Sequence, residues 1–277
     1  MGRNRKKPVR RRLEKRQKRS RQKKKSGLFD KVTMVILVVA VCVFAFSLYQ
    51  LVRTMVPYYS GGKEYDKLKN KAITVQEQTD DPGDVSGDTF KVDFDVLLQE
   101  NPDTVAWIRF DEPSIISYPV VKSADNKEYL TKTFSANDNK LGAIFMDMRN
   151  TSDFSDKNTM IYGHNMKNNT MFSELGKYLK KDFLDSHNLI KIYTPNGNYK
   201  GTIFSVYSTS VNDENKNIKN LNFNERIQYY EKSSKQSINK VKNINKIIKL
   251  STCSYLNTRT SPTDQRYYII ASLSPIS

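Results

Sequence analysis

The stretch that constrains this chain most is Val32 to Val52, VTMVILVVAVCVFAFSLYQLV, 21 residues without a formal charge between Lys31 and Arg53. At about 1.5 Å per residue, a helix of that length spans the roughly 30 Å hydrocarbon core of a bilayer. A cleavable signal peptide carries a shorter apolar region, about 7–15 residues, ending at a small-x-small site. The sequence that follows, Arg53-Thr54-Met55-Val56-Pro57-Tyr58-Tyr59, offers no such site. Residues 32–53 therefore read as a single uncleaved transmembrane signal anchor. Tyr49, Tyr58 and Tyr59 fall near the outer interface, where amphipathic rings are favoured. Cys42 lies mid-span as packing.

The formal net charge of +17 suggests a nucleic-acid binder until it is located. Residues 1–31 hold 16 Lys/Arg against Glu14 and Asp30, which leaves 30 Lys/Arg and 27 acids for the rest of the chain. The basicity is thus an arm, residues 1–31, too polar to bury a core and read as disordered. An excess of Lys/Arg keeps such an arm in the cytoplasm and everything after the anchor outside the cell. The arm attracts anionic lipid, and the span that follows it argues against nucleic acid as its partner.

Residues 54–89 read as an extracellular stalk. Gly61-Gly62 opens it, Asp81-Pro82-Gly83-Asp84 and Ser86-Gly87-Asp88 close it, and Lys63 to Gln78 carries a weak helical pattern through Tyr65, Leu68, Ala72 and Val75. Residues 90–277 form the outer domain, long enough for one well-buried core. A short amphipathic helix, Val92 to Glu100, precedes Asn101-Pro102. Eight short apolar runs follow, split by turn residues: 105–110, 115–121, 142–146, 159–162, 190–193, 201–208, 244–250 and 267–273. Asn196-Gly197 is a hairpin signal. The fold class is mainly β: a closed or nearly closed barrel of about eight strands. Peripheral helices are expected at Met171–Lys181 and Asn224–Ser237.

Cys253 is the one cysteine outside the anchor, at the exit of the run that ends at Leu250. A lone thiol is either a small buried hydrophobe or a nucleophile. His164 lies just past another apolar run, after Gly163, while His187 follows a charged stretch and reads as a solvated loop position. Cys–His chemistry needs the side chains adjacent in space, which requires the strands ending near Tyr162 and Thr252 to be neighbours. Arg266 opens the next strand, so a hairpin after Cys253 sets its guanidinium near the thiol, where it can hold an oxyanion. Arg259, in mid-loop, is its rival. No metal-ligand spacing is present, and no cofactor is implied.

Taken together these segments resemble a sortase, of class B. The Cys signature of that family, Thr-Leu-x-Thr-Cys with an Arg opening the last strand, is matched by Lys249-Leu250-Ser251-Thr252-Cys253 and Arg266. The His segment resembles Tyr162-Gly163-His164-Asn165-Met166 with Thr170-Met171-Phe172 after it. Asn101-Pro102-Asp103, Trp107-Ile108, Pro119-Val120-Val121, Asp125-Asn126, Tyr129-Leu130 and Gly142-Ala143-Ile144-Phe145-Met146-Asp147 extend the likeness over most of the outer domain. Two departures stand out. Lys249 replaces the first Thr, and the loop from Cys253 to Arg266 is longer than class B usually shows.

The resemblance implies a sortase-type barrel and a membrane-anchored cysteine transpeptidase of Gram-positive bacteria acting on cell-wall sorting signals of the LPXTG or NPQTN type. Cys253 would be the nucleophile, His164 the proton carrier and Arg266 the oxyanion holder. Asn126, Leu130, Ser251 and Thr252 are the implied substrate contacts. The partners would be secreted proteins bearing a sorting signal, with a peptidoglycan precursor or pilin amine as acceptor. A membrane-anchored cysteine peptidase is the nearest alternative, although papain-like chains place Cys before His. A catalytically silent extracellular binding module is the other.

Overall fold

The computed structural model describes residues 7–75, 90–110, 116–236, 238, 241–254 and 263–276. The turn clusters 81–84 and 86–88, and Arg259, lie outside the described residues. The chain divides into two compact units, residues 1–56 and residues 57–277.

Helix α1 (Lys7–Ala72) opens the fold, with Pro57 inside it. Among the described residues it is the one helix long and apolar enough to cross a membrane. The side chains from Val32 to Val52 are exposed throughout, as a lipid-facing surface requires. The basic arm, expected to be disordered, is helical from Lys7. Lys, Arg and Gln are good helix formers, and the anchor supplies the turn from which a helix propagates.

The second unit begins at Pro57, which corrects the expectation of a loose stalk. Tyr65, Leu68 and Ala72, the apolar positions of the weak helical pattern, are all buried in the core. The Tyr65 hydroxyl donates to the Gly142 carbonyl (2.9 Å) and accepts from the Phe134 amide (3.2 Å). Glu64 accepts from Thr133 Oγ1 and the Ser135 amide. Residues 57–72 are thus part of the outer domain. Strands β1 (Ile73–Val75) and β2 (Phe90–Val92) then pair antiparallel, a small sheet that polar flanks concealed in the sequence. Helix α2 (Phe94–Glu100) follows, its N-cap Asp93 accepting from the Val96 amide.

The remaining strands are β3 (Thr104–Phe110), β4 (Ser117–Val121), β5 (Ile144–Met146), β6 (Asn158–Tyr162), β7 (Leu189–Thr194), β8 (Gly197–Ser210), β9 (Ile247–Cys253) and β10 (Gln265–Ile276). They close into an eight-stranded barrel in the order β10-β8-β7-β3-β4-β5-β6-β9. Two pairings are parallel, β4 with β5 and β6 with β9. An eight-stranded barrel leaves an interior that side chains can fill. Ile108, Val120, Ile144, Ile161, Ile192, Leu250 and Ile269 are buried in that core. Each such side chain contributes about 1.5–3 kcal/mol.

The helices differ from expectation in their bounds. A 3-10 turn at Ser173–Leu179 and helix α3 (Lys181–Ser186) stand where one helix over 171–181 was expected. Helix α5 (Phe223–Ser233), closed by a capping box of Asn222 and Glu225, corresponds to the expected 224–237 segment. Helix α4 (Val211–Ile218) was not expected, because its sequence, VNDENKNI, has only two apolar residues, Val211 and Ile218, to mark a buried face. Both α4 and α5 connect β8 to β9. A second apolar cluster, including Tyr207, Tyr230, Ile247, Tyr268 and Ile270, lies on the outer face of these strands. Strands β9 and β10 are consequently buried on both faces and read in sequence as continuous apolar runs.

Candidate active site

The parallel pairing of β6 with β9 sets Tyr162 opposite Ser251. The Gly163 amide extends that ladder by donating to the Ser251 carbonyl (3.2 Å), so His164 leaves β6 beside the end of β9, where Cys253 stands. Asn165 ties the two ends together, its Nδ2 donating to the Cys253 carbonyl at 2.7 Å. Gly163 is required here: a Cβ at this position would lie 2.5 Å from Ile144 Cδ1 and 2.7 Å from Phe172 Cδ2.

On the other side of β9, Arg266 of β10 is the antiparallel partner of Cys253. The Ser254 amide donates to the Gln265 carbonyl (2.8 Å), which makes 254–265 a hydrogen-bonded pair and 253–266 the adjacent non-bonded pair. Non-bonded pairs bring their side chains closest, with Cα atoms about 4.5 Å apart. The Cys253 thiol and the Arg266 side chain thus rise from neighbouring positions on one face. Guanidinium Nη1 donates to the Thr263 and Gln265 carbonyls, at 2.6 and 2.9 Å. These bonds use one nitrogen of a group with five N–H donors.

The imidazole of His164 is oriented by the backbone. Its Nε2 lies 2.7 Å from the Leu130 carbonyl. A carbonyl can only accept, so Nε2 carries the hydrogen of this bond and Nδ1 is the nitrogen left to take up or release a proton. Beneath the ring sits Gly142, with φ +65°. A Cβ there would lie 2.7 Å from His164 Cδ2 and 2.9 Å from the Tyr129 carbonyl, so only glycine fits. The same Gly142 carbonyl accepts from Tyr65, which links the packed end of α1 to the support of the histidine.

Cys253, His164 and Arg266 are all half-buried and line one cleft of about 740 Å³. Asn126, Leu130, Ser251 and Thr252 line it as well. Leu130 is exposed at the rim (39 %), whereas Ser251 and Thr252 are buried in its floor, the Thr252 hydroxyl without a hydrogen-bond partner. Asn126 is committed at both ends of its amide, donating to Asp147 Oδ2 (3.1 Å) and accepting from the Met148 amide (2.7 Å).

His187 is not a free loop residue. It caps the end of α3, with Nδ1 2.8 Å from the Phe183 carbonyl and its ring stacked on Phe183. Among the described residues no group of three or more His, Cys, Asp or Glu side chains is placed to hold a metal.

The sequence reading overlooked two charged clusters in the cleft. One centres on Asp147, a side chain 1 % exposed that accepts from both Nε and Nη2 of Arg149 (2.8 Å each) and from the Tyr162 hydroxyl (2.7 Å). Burial would raise its carboxyl, but the Arg149 side chain, the Arg149 amide and Tyr162 together hold it well below the usual range. The other is the buried pair of Lys249 and Glu214. Lys249 was visible in the sequence as a departure from the Cys signature, while nothing in the polar sequence of α4 marked Glu214 as its partner.

The Sortase domain family model matches residues 112–274. A sortase B of Listeria monocytogenes is 39 % identical over 161 residues, covering 57 % of this chain and 65 % of that protein, just under two thirds of its length. A sortase B of Staphylococcus aureus is 29 % identical over 253 residues, covering 90 % of this chain and 98 % of that protein. Among solved structures, a Staphylococcus aureus sortase B–substrate complex superposes with a TM-score of 0.59 at 30 % identity, over 67 % of this chain and 86 % of that one. A sortase B from Bacillus anthracis gives 0.62 at 26 % identity, over 80 % and 99 %. The barrel, the ordered Cys and His segments and these matches agree, and the chain belongs to the sortase family, in its class B branch.

Proposed function

We propose that this protein is a membrane-anchored cysteine transpeptidase that cuts a C-terminal sorting signal and joins the shortened protein to an amine. The observation that carries the reading is the convergence of Cys253, His164 and Arg266 in one cleft, through the β6–β9 and β9–β10 pairings. The Cys253 thiolate attacks the carbonyl carbon of the signal's threonine. The carbon–nitrogen bond breaks, and His164 gives its Nδ1 proton to the departing amine. Arg266 holds the negative oxygen of the tetrahedral intermediate through its remaining N–H donors. An acceptor amine then attacks the thioester, the carbon–sulfur bond breaks, and His164 recovers a proton from that amine.

The substrate class is a signal of the LPXTG or NPQTN type on a secreted protein, and the acceptor is an amine of a peptidoglycan precursor or a pilin. Leu130 offers an apolar rim to the signal, and Ser251 and Thr252 a polar floor. The fixed amide of Asn126 shapes that cleft. The basic arm faces the cytoplasm and the barrel the exterior, an orientation supported by the excess of Lys/Arg before the span. Enzyme and substrate, both anchored in one membrane, meet at a raised effective concentration.

The test uses the full chain in detergent, mixed with a sorting-signal peptide with and without an amine, and product masses. The reading predicts an amide product that requires the amine and disappears in Cys253→Ala. Hydrolysis unaffected by the amine would make the protein a peptidase. No Cys253-dependent product from either signal type would leave a binding module.

A further inference from the structure

Helix α4 forms part of the cleft wall through Val211, Asn215 and Ile218, and its apolar docking is slight: Val211 and Ile218 are its two apolar residues, Ile218 packing against the second apolar cluster. Its one fully buried side chain is Glu214. That carboxylate accepts from the Tyr207 hydroxyl (2.8 Å, to Oε1) and the Tyr229 hydroxyl (3.1 Å, to Oε2), and it is paired with the Lys249 ammonium. The two side chains are 4 % (Lys249) and 3 % (Glu214) exposed. Around the ammonium stand the rings of Tyr268, Tyr230 and Tyr207, at 4.2, 4.9 and 6.0 Å. Lys249 lies on β9 four residues before Cys253, on the same face of the strand, roughly 13 Å away at about 3.3 Å per residue. It is too far to touch reacting atoms. It also stands where the Cys signature of the family has a threonine, a side chain too short to reach α4.

We propose that Lys249 and Glu214 are positioning residues: a buried clamp that fixes the α4 wall against the strand bearing Cys253 and so determines how tightly a sorting signal is held. The proposal rests on the transpeptidase reading for its substrate, while the clamp itself rests on the contacts of α4. Removing one charge leaves the other buried without its partner, so the wall must move to let solvent reach it. Removing both leaves nothing stranded. Binding of the signal therefore suffers in each single variant, and the double, which has lost the clamp but strands no charge, suffers no more than the worse single.

The experiment compares the full chain in detergent with Lys249→Met, Glu214→Gln and the double variant, using a sorting-signal peptide, an amine acceptor, alkylation of Cys253 and amide exchange along α4. Each single variant is expected to raise KM about tenfold or more with kcat within about threefold. Exchange on α4 should quicken in parallel and Cys253 alkylation stay unchanged; the double should lose about as much in KM and exchange as one single variant, well short of their sum. Unchanged KM and exchange in the singles, or a double whose loss equals the sum of the singles, overturns the clamp.

Should a single variant fail to fold, the pH dependence of KM decides the matter. Burial outweighs the attraction of Glu214 and pulls the Lys249 ammonium down to about 8. The other groups facing the pair are Arg226, and Tyr207, Tyr229, Tyr230 and Tyr268, the tyrosines all raised by burial and so neutral in this range. Wild-type KM should rise above pH about 8, and the double should lack that limb. A wild-type KM flat across that range contradicts the proposal. If the wild type turns over no signal at all, the functional reading fails and the claim about signal binding falls with it. α4 exchange then reports on the clamp alone.

Discussion

The two ends of the cleft floor treat charge in opposite ways. At the Cys253 end the working groups are half-buried, and their hydrogen bonds run to backbone carbonyls: His164 to Leu130, Arg266 to Thr263 and Gln265. At the Lys249 end the charges are sealed from solvent and paired with each other. A carbonyl fixes the orientation of an imidazole or a guanidinium without neutralising it, so the group stays available to a substrate. A buried carboxylate–ammonium pair is neutral overall and holds elements in register. The difference is what the proposed function, with chemistry at one end and positioning at the other, requires.

Substitutions at the reactive end should have the largest effects and should act on kcat. Cys253→Ala removes the nucleophile and is expected to reduce amide formation to below about 10⁻⁴ of wild type, read by product mass. His164→Ala should cost about 10²–10⁴-fold in kcat, the range for a lost general acid. Arg266→Ala should cost about 10²–10³-fold, with Arg266→Lys recovering little because an ammonium lacks the planar fork. Arg259→Ala should have a small effect; the reverse ranking of the two arginines would overturn the assignment of the oxyanion holder.

Smaller effects are expected where the two ends are supported. Gly142→Ala forces an alanine to φ +65° and crowds the His164 ring. The strain should cost about 1–2 kcal/mol in denaturant unfolding, and the displaced imidazole up to about 10²-fold in kcat. The smallest effect concerns Asp147. Its carboxyl is held low in the folded state, so its contribution is present above the unfolded value, about 3.9, and is lost as pH falls through the folded one. Because the Arg149 side chain is 78 % exposed, Arg149→Met should destabilise by only about 0.5–1 kcal/mol at pH 7, and the gap to wild type should close below about pH 4. A gap independent of pH would mean that Arg149 acts through packing alone.

The same contrast explains what the sequence could reveal. The eight barrel strands were legible because each needs a short apolar run, and the first three positions of the pattern Tyr65, Leu68, Ala72, Val75 were a true buried stripe. What the pattern could not tell is that this stripe docks on the barrel, since a weakly apolar helix looks alike on a tether and on a core. Cys253, His164 and Arg266 were legible as residues at strand boundaries. The approach of Arg266 to Cys253 was legible too, as a hairpin; that of His164 was not, because it depends on a parallel pairing between strands 89 positions apart at Tyr162 and Ser251. Helix α4 was invisible because only two of its eight residues are apolar, and a buried ion pair supplements the packing of Ile218. Glu214 and Lys249 lie 35 positions apart, and neither residue alone signals the other. Asn165 and Asp147 stood inside quoted motifs, but their roles emerge only from where their side chains point.

The most direct test of the central claim is the intact mass of the full chain after brief mixing with a sorting-signal peptide in the absence of amine. The account predicts an added mass equal to the signal fragment ending at threonine, mapped to Cys253 and discharged when an amine is supplied. An adduct on any other residue, or a signal cut by a Cys253→Ala chain at the wild-type rate, would contradict it.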